Sequence, residues 1–213
     1  MTVVLHEATD IGRFVTNRNL GRQYDFLHTS LLVSREQDGF ALTHNFIKDL
    51  NILATHFMSH HPGKYRNELQ IDVTITETEH EPPKWERVWQ HMETFVGQLQ
   101  AQYESADPLQ LAAFVLWRMN WIHPFVQGNG RTARAFSYYL LCHKLQMWLP
   151  GDPIIPEQIR LRRQEYCQML ALADKGLKET GTPDLNGLVT MLNQMLQIQL
   201  ASAQAASSSP PAS

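Results

Sequence analysis

Apolar residues recur at three- and four-residue intervals through most of this chain, a spacing that predicts helices. Phe26, Leu27, Leu31 and Leu32 mark one helix, and Phe46, Ile47, Leu50, Ala54, Phe57 and Met58 a second, both ahead of residue 62. After the Pro82-Pro83 break, Val88, Met92, Phe95, Val96 and Leu99 form one amphipathic face. Asp107-Pro108 starts the next helix, because an Asp side chain caps the first free N–H groups and proline needs none there. Its run LQLAAFVLWRMNWI is apolar nearly all round, which places it in the middle of a domain. It stops at His123-Pro124, since the residue before a proline is pushed out of helical geometry. The helical pattern resumes after Gly128-Asn129-Gly130 through RTARAFSYYLLCHKL. Further helices start at Pro156-Glu157 and at Thr182-Pro183, the latter with Leu185, Leu188, Leu192 and Leu196 on one face.

One stretch reads differently. Leu69, Ile71, Val73 and Ile75 alternate with polar neighbours, which predicts a strand over Leu69 to Thr76. A lone strand or short hairpin builds no sheet of its own, so it must lie on the helices or offer an edge to something else. The expected fold is therefore mainly α, one helical domain with a short β-hairpin flap.

Length and composition support one core: 213 residues with 43% hydrophobic content suffice for one sizeable domain and leave no room for a second. Residues 1–19 read as an N-terminal segment, 20–200 as the domain, and the small polar run 201–213 as a disordered tail. A net charge of -3 argues against nucleic acid or an anionic membrane as a partner. Cys142 and Cys167 lack any disulfide or metal-ligand spacing and read as core residues. No apolar run is long enough to span a bilayer, and MTVVLHEATD lacks a basic segment followed by an apolar block, so a soluble, cytoplasmic protein is expected.

The chemistry concentrates in WIHPFVQGNGRTAR, Trp121 to Arg134. A glycine corner feeding straight into a helix leaves backbone N–H groups free at the positive end of the helix dipole, an arrangement that binds anions. Arg131 and Arg134, three residues apart, are expected on the same side of the first turn as paired cations for a polyphosphate. His123 lies across the corner, where a neutral imidazole can take a proton near pH 7. Taken singly, each part has an ordinary explanation: a capping histidine, a turn, a solvated arginine pair. Their joint order and tight spacing point to phosphoryl or nucleotidyl transfer. His56 and His60 stand four apart on the second helix, but no third metal ligand is evident and no glutamate lies between them.

The run H-P-F-x-x-G-N-G-R-x-x-R from His123 to Arg134 resembles the signature of the Fic family of protein nucleotidyltransferases. PGKYR at 62–66 resembles the family's P-G-x-F-R stretch, and HEPP at 80–83 the end of its flap hairpin; Tyr166 falls where a tyrosine is common on a later helix. The resemblance spans residues 20–175 and implies a helical domain that moves AMP from ATP onto a Tyr, Ser or Thr hydroxyl of a target protein. It implies His123 as the base. It implies Asn129 with the backbone of Gly128 and Gly130 as the anion hole, and Arg131 and Arg134 as polyphosphate ligands. It also implies a flap comprising Val73, Thr74, Ile75, Thr76 and His80 that positions the target. GNGR, rather than GNKR, favours nucleotidyl transfer.

Gln127 departs from that pattern, standing where the family carries an Asp or Glu that holds Mg²⁺. Mg²⁺ prefers charged oxygen ligands, and an amide offers one uncharged oxygen. Two further readings follow: a nucleotide- or partner-binding module with weak or no turnover, or an enzyme using another nucleotide donor. The family's self-inhibitory pattern S/T-x-x-x-E-G is matched only in outline by SREQDG at 34–39, which reads as a turn, so an inhibitor is expected to be a separate protein.

Overall fold

The computed structural model describes residues 4–36, 42–75 and 80–208. Among these, nine helices follow in order: α1 (Asp10–Glu36), α2 (His44–Thr55), α3 (Arg66–Leu69), α4 (Trp85–Gln102), α5 (Pro108–Ile122), α6 (Asn129–Lys144), α7 (Ile155–Leu161), α8 (Arg163–Thr180) and α9 (Asn186–Ser208). The fold is mainly α, as the periodicity predicts.

Helices α5 and α6 form the central antiparallel pair. α5 packs on α4, α8 and α9, and α6 on α1, α2 and α7. The local signals explain their ends. Asp107 accepts hydrogen bonds from the N–H groups of Leu109 and Gln110, with Pro108 in the first turn. α5 closes on His123, whose left-handed backbone (φ 49°) returns its N–H to the Met119 carbonyl. The corner between α5 and α6 therefore sits at one end of the core.

α1 is longer than its apolar residues suggest. Its inward face continues at helical spacing through Gly12, Thr16, Asn19 and Gln23 to Leu27 and Leu31. Two polar members of that face pair with α2 and the loop after it: Asn19 donates to the His56 carbonyl at 2.8 Å and Gln23 to the Leu50 carbonyl at 2.7 Å. Hydrogen-bonded side chains can be buried where apolar ones usually are. The helix thus runs unbroken across residues 19 and 20, and Leu32, expected on its apolar face, is exposed.

Three other expectations change. Leu69 belongs to the short helix α3, where Glu68 accepts the Tyr65 N–H and Lys48 at once; Gln70 then takes a left-handed conformation. Residues 71–75 keep the in-and-out alternation, with Ile71, Val73 and Ile75 half-buried, yet form no ladder among the described residues. The one bridge there joins Tyr65 to Phe125. Thr76 lies outside the described residues. Second, the run from 201 is helical to Ser208, since alanine is the strongest helix former and Gln199 and Ser202 bond to the loop at 149–155. Third, α2 ends at Thr55, so His56 and His60 occupy the following loop and share no helix face. No helix among the described residues is long and apolar enough to cross a membrane.

Candidate active site

His123 owes its position to Arg66. That guanidinium is wholly buried, and its Nε donates to the His123 carbonyl at 2.7 Å. Its Nη2 donates to the carbonyls of Pro83 (2.8 Å) and Ile122 (3.3 Å), and Nη1 to that of Ile71 (3.3 Å). Asp72 adds a carboxylate at 3.6 Å. One planar cation thus ties the end of α5 to both arms of the flap, and its donors match several fixed acceptors at once. A left-handed residue other than glycine is uncommon, so the backbone of His123 depends on such external support.

The corner is held from the other side by Asn51 on α2, which is buried. Its Nδ2 donates to the Gln127 carbonyl (2.9 Å) and to Thr132 Oγ1 (3.2 Å), and its Oδ1 accepts the Gly63 N–H (2.9 Å). Gly128 is required twice over. Its φ is 78°, and an added Cβ would come within 2.4 Å of Thr55 Cγ2. Asn129 is committed as well: Oδ1 accepts the Phe125 N–H at 2.9 Å and Nδ2 donates to the Phe125 carbonyl at 2.7 Å. Its side chain therefore shapes the loop, with Phe125 as the apolar anchor, and only its backbone N–H is left for an anion. No side chain caps α6, whose first N–H groups have no partner within the helix.

A cavity of about 390 Å³ opens at this corner between α5, α8 and the flap. His123, Gly130 and Arg134 line one end of it, together with Tyr166. The Tyr166 hydroxyl accepts Asn120 Nδ2 at 2.8 Å and stands beside Arg134. Arg134 makes no hydrogen bond or ion pair with the described residues. Burial works against its charge, but a guanidinium stays protonated at any physiological pH.

Arg131 turns elsewhere. The two arginines line different clefts, although the charge of Arg131 still acts on Arg134. Arg131 lines a second cleft of about 360 Å³ with Gln127, Met58 and the segment Val4 to Glu7. Its Nη2 stands 3.9 Å from a Glu7 carboxylate oxygen, and its Nη1 is buried without a hydrogen bond.

The imidazole of His123 is pushed down to about 4, first by burial and then by the charge of Arg66; the Asn120 backbone pulls the other way, and His80 adds the smallest downward push. Its Nδ1 is buried with no hydrogen bond of ordinary geometry. The ring is therefore neutral at physiological pH and able to accept a proton. Of the flap residues, Ile75 and His80 line the large cavity, Val73 is half-buried and Thr74 exposed. His80 reaches the Trp121 carbonyl (2.8 Å) and Asp174 (3.4 Å).

The residues present do not make a magnesium site. Gln127 is exposed, its backbone oxygen is taken by Asn51, and the one carboxylate lining its cleft, Glu7, faces Arg131. Among the described residues no group of three or more His, Cys, Asp or Glu could hold a metal ion. Arg66, Asn51 and Asp174 carry the site without standing out in the sequence. Arg66 closes the PGKYR stretch, the one local sign available.

Comparison with known proteins bears on the same residues. The family model described as Fic/DOC family matches residues 41–141. Over 87 residues the chain is 38% identical to a curated Drosophila willistoni protein named protein adenylyltransferase Fic, covering 40% of this chain and 16% of that protein. A Nematostella vectensis protein of the same name is 34% identical over 116 residues, covering 54% of this chain and 24% of that protein. The chain thus matches a quarter or less of the length of these relatives. A Fic family protein from Desulfovibrio desulfuricans G20 superposes with a TM-score of 0.67 at 22% identity, over 90% of this chain and 54% of that one. Fic-1 from C. elegans gives 0.69 at 21% identity, over 96% and 55%. These likenesses show a shared fold.

Proposed function

Because the chain belongs to the Fic/DOC family through residues 41–141, we propose that it transfers AMP from ATP to a Tyr, Ser or Thr hydroxyl of a target protein. The observation that carries this reading is that a half-buried neutral His123, an Arg134 unpartnered among the described residues and Gly130 at the uncapped start of α6 line the same cavity.

In the proposed reaction the triphosphate lies against the first N–H groups of α6 and Arg134, which favour negative charge there. His123 takes the proton of the target hydroxyl, and that oxygen attacks the α-phosphorus. The bond from the α-phosphorus to the bridging oxygen breaks, and pyrophosphate leaves with its charge facing Arg134. A ring with its pKa near 4 is a weak base. Bound phosphates raise it, since a nearby anion favours the imidazolium. The extended segment 71–75 has an unpaired edge among the described residues. That edge fits β-strand pairing with a target segment, which would hold the hydroxyl in line.

The experiment is label transfer from α-labelled ATP to the protein itself and to lysate proteins. Wild type should transfer label, and His123→Ala should abolish transfer yet keep ATP binding. Transfer by the variant at the wild-type rate would remove His123 from the mechanism. Gln127 supports a second reading, a nucleotide-binding module of low turnover, because an exposed amide replaces a charged oxygen in the Arg131 cleft. Tight ATP binding with no label transfer under any metal condition would favour that module.

A further inference from the structure

A basic and aromatic cluster lies outside the cavity, between α4 and α5. Arg118 holds its guanidinium over the ring of Trp121 at 4.6 Å and over that of Trp117 at 5.5 Å. His91 on α4 meets the Trp121 ring edge-on, with centroids 5.1 Å apart. Burial and the charges of Arg118 and Arg87 hold the His91 imidazole below its ordinary pKa, so three basic side chains share one neighbourhood. None of the three lines the cavity.

No carboxylate answers this charge. Among the described residues Arg118 and Arg87 form no ion pair, and Arg118 Nε is buried without an acceptor. Burial alone shifts the Arg118 guanidinium, downwards, with no acidic group acting against it. A partly buried cation attracted only by ring faces contributes little to stability, because desolvation opposes it. Held against two indoles, its planar fork is ordered in advance for a carboxylate supplied from outside. A phosphate fits less well. The three side chains spring from within helices, where backbone N–H groups are already bonded, so no nest of free N–H groups stands beside them. A net charge of -3 also disfavours nucleic acid. The place points to a protein partner, since Trp121 both lines the cavity and, through its carbonyl, meets His80 of the flap at 2.8 Å.

We propose that Arg118, with Arg87 and His91, is a docking point for an acidic side chain of the target protein, beside the flap that takes the segment to be modified. The inference rests on the reading of this chain as an enzyme acting on proteins. It adds the chemistry of the target, an Asp or Glu in the neighbourhood of the modified hydroxyl.

The test is fluorescence anisotropy on the whole chain, without nucleotide and at fixed low salt, with labelled hexaglutamate, hexaglutamine and hexathymidylate as probes. Hexaglutamate should bind at least about tenfold more tightly than hexaglutamine and weaken as salt rises. Arg118→Gln removes the charge and the fork, and should lower hexaglutamate affinity about tenfold, the scale of a lost charged hydrogen bond. Arg87 is exposed and outside the core, so Arg87→Gln tests the same site without risk to folding. It should lower the affinity about threefold, as expected for a more solvated ion pair. Hexaglutamate that fails to bind wild type, binds no better than hexaglutamine, or binds both variants as it binds wild type overturns the proposal. Hexathymidylate that binds as tightly and is equally lost in Arg118→Gln identifies a general polyanion patch and overturns it too. Absence of label transfer from ATP, with Arg118-dependent peptide binding intact, counts against the transfer reading and leaves the docking point standing.

Discussion

Arg66 Nε donates to the carbonyl of His123 at 2.7 Å, so a residue at the start of α3 sets the backbone conformation of the proposed base at the end of α5. The same guanidinium serves carbonyls on both sides of the flap, which couples the flap to the histidine through one buried charge.

Replacing that charge should be costly. Arg66→Met leaves several buried carbonyls without donors and Asp72 without its cation, and a loss of about 3–5 kcal/mol is expected. Arg66→Lys keeps the charge but cannot span the same acceptors, so it should recover only part of the loss. Urea unfolding measures both. A lysine variant as stable as wild type would show that charge alone, and not the planar fork, holds the corner.

Stability should also fall with acid in a way that traces to His123. Its folded pKa is about 4, whereas an unfolded histidine titrates near about 6.5. Between those values the unfolded chain binds more protons, so stability present above the unfolded pKa is lost as pH falls towards the folded one. From about pH 7.5 to about pH 5 this group alone should cost about 2 kcal/mol. His123→Ala should flatten the stability profile by that amount in urea titrations at the two pH values. An unchanged slope would place the His123 pKa near its ordinary value.

The two motif arginines should behave unequally towards nucleotide. Arg134 faces the cavity shared with His123 and has no carboxylate partner, whereas Arg131 faces the other cleft beside Glu7. Arg134→Ala is expected to weaken ATP binding by roughly tenfold or more, the scale of a lost charged contact. Arg131→Ala should weaken it less. Calorimetry at constant salt decides, and equal losses would mean that the polyphosphate spans both clefts.

Gln127→Glu tests whether a missing carboxylate limits the chemistry. In metal-free buffer the new charge should weaken ATP binding by repulsion. With Mg²⁺ or Mn²⁺ it should strengthen ATP binding and raise label transfer; tenfold would correspond to about 1.4 kcal/mol. The opposite signs under the two conditions separate a metal effect from a general disturbance of the loop. Wild-type transfer already as fast as that of the variant would show that Gln127 imposes no penalty.

The amino-acid sequence by itself determined the helical class and the ends of α5. It also determined the glycine corner and the neighbourhood of His123 in the chain. All of these rest on local physics: apolar spacing, an Asp cap ahead of a proline, a residue before proline, and a glycine at positive φ. Tertiary structure alone decided which way the motif's side chains face. It turned Arg131 and Arg134 into separate clefts, closed the Asn129 amide on Phe125, and drew Leu69 into a helical turn. It also buried the polar face of α1, whose periodicity is helical but whose residues carry no apolar signal. Arg66 meets His123, and Asp174 meets Trp117, each across 57 positions of chain. No local pattern encodes such a meeting, because its stability comes from two surfaces that exist only once the helices have packed.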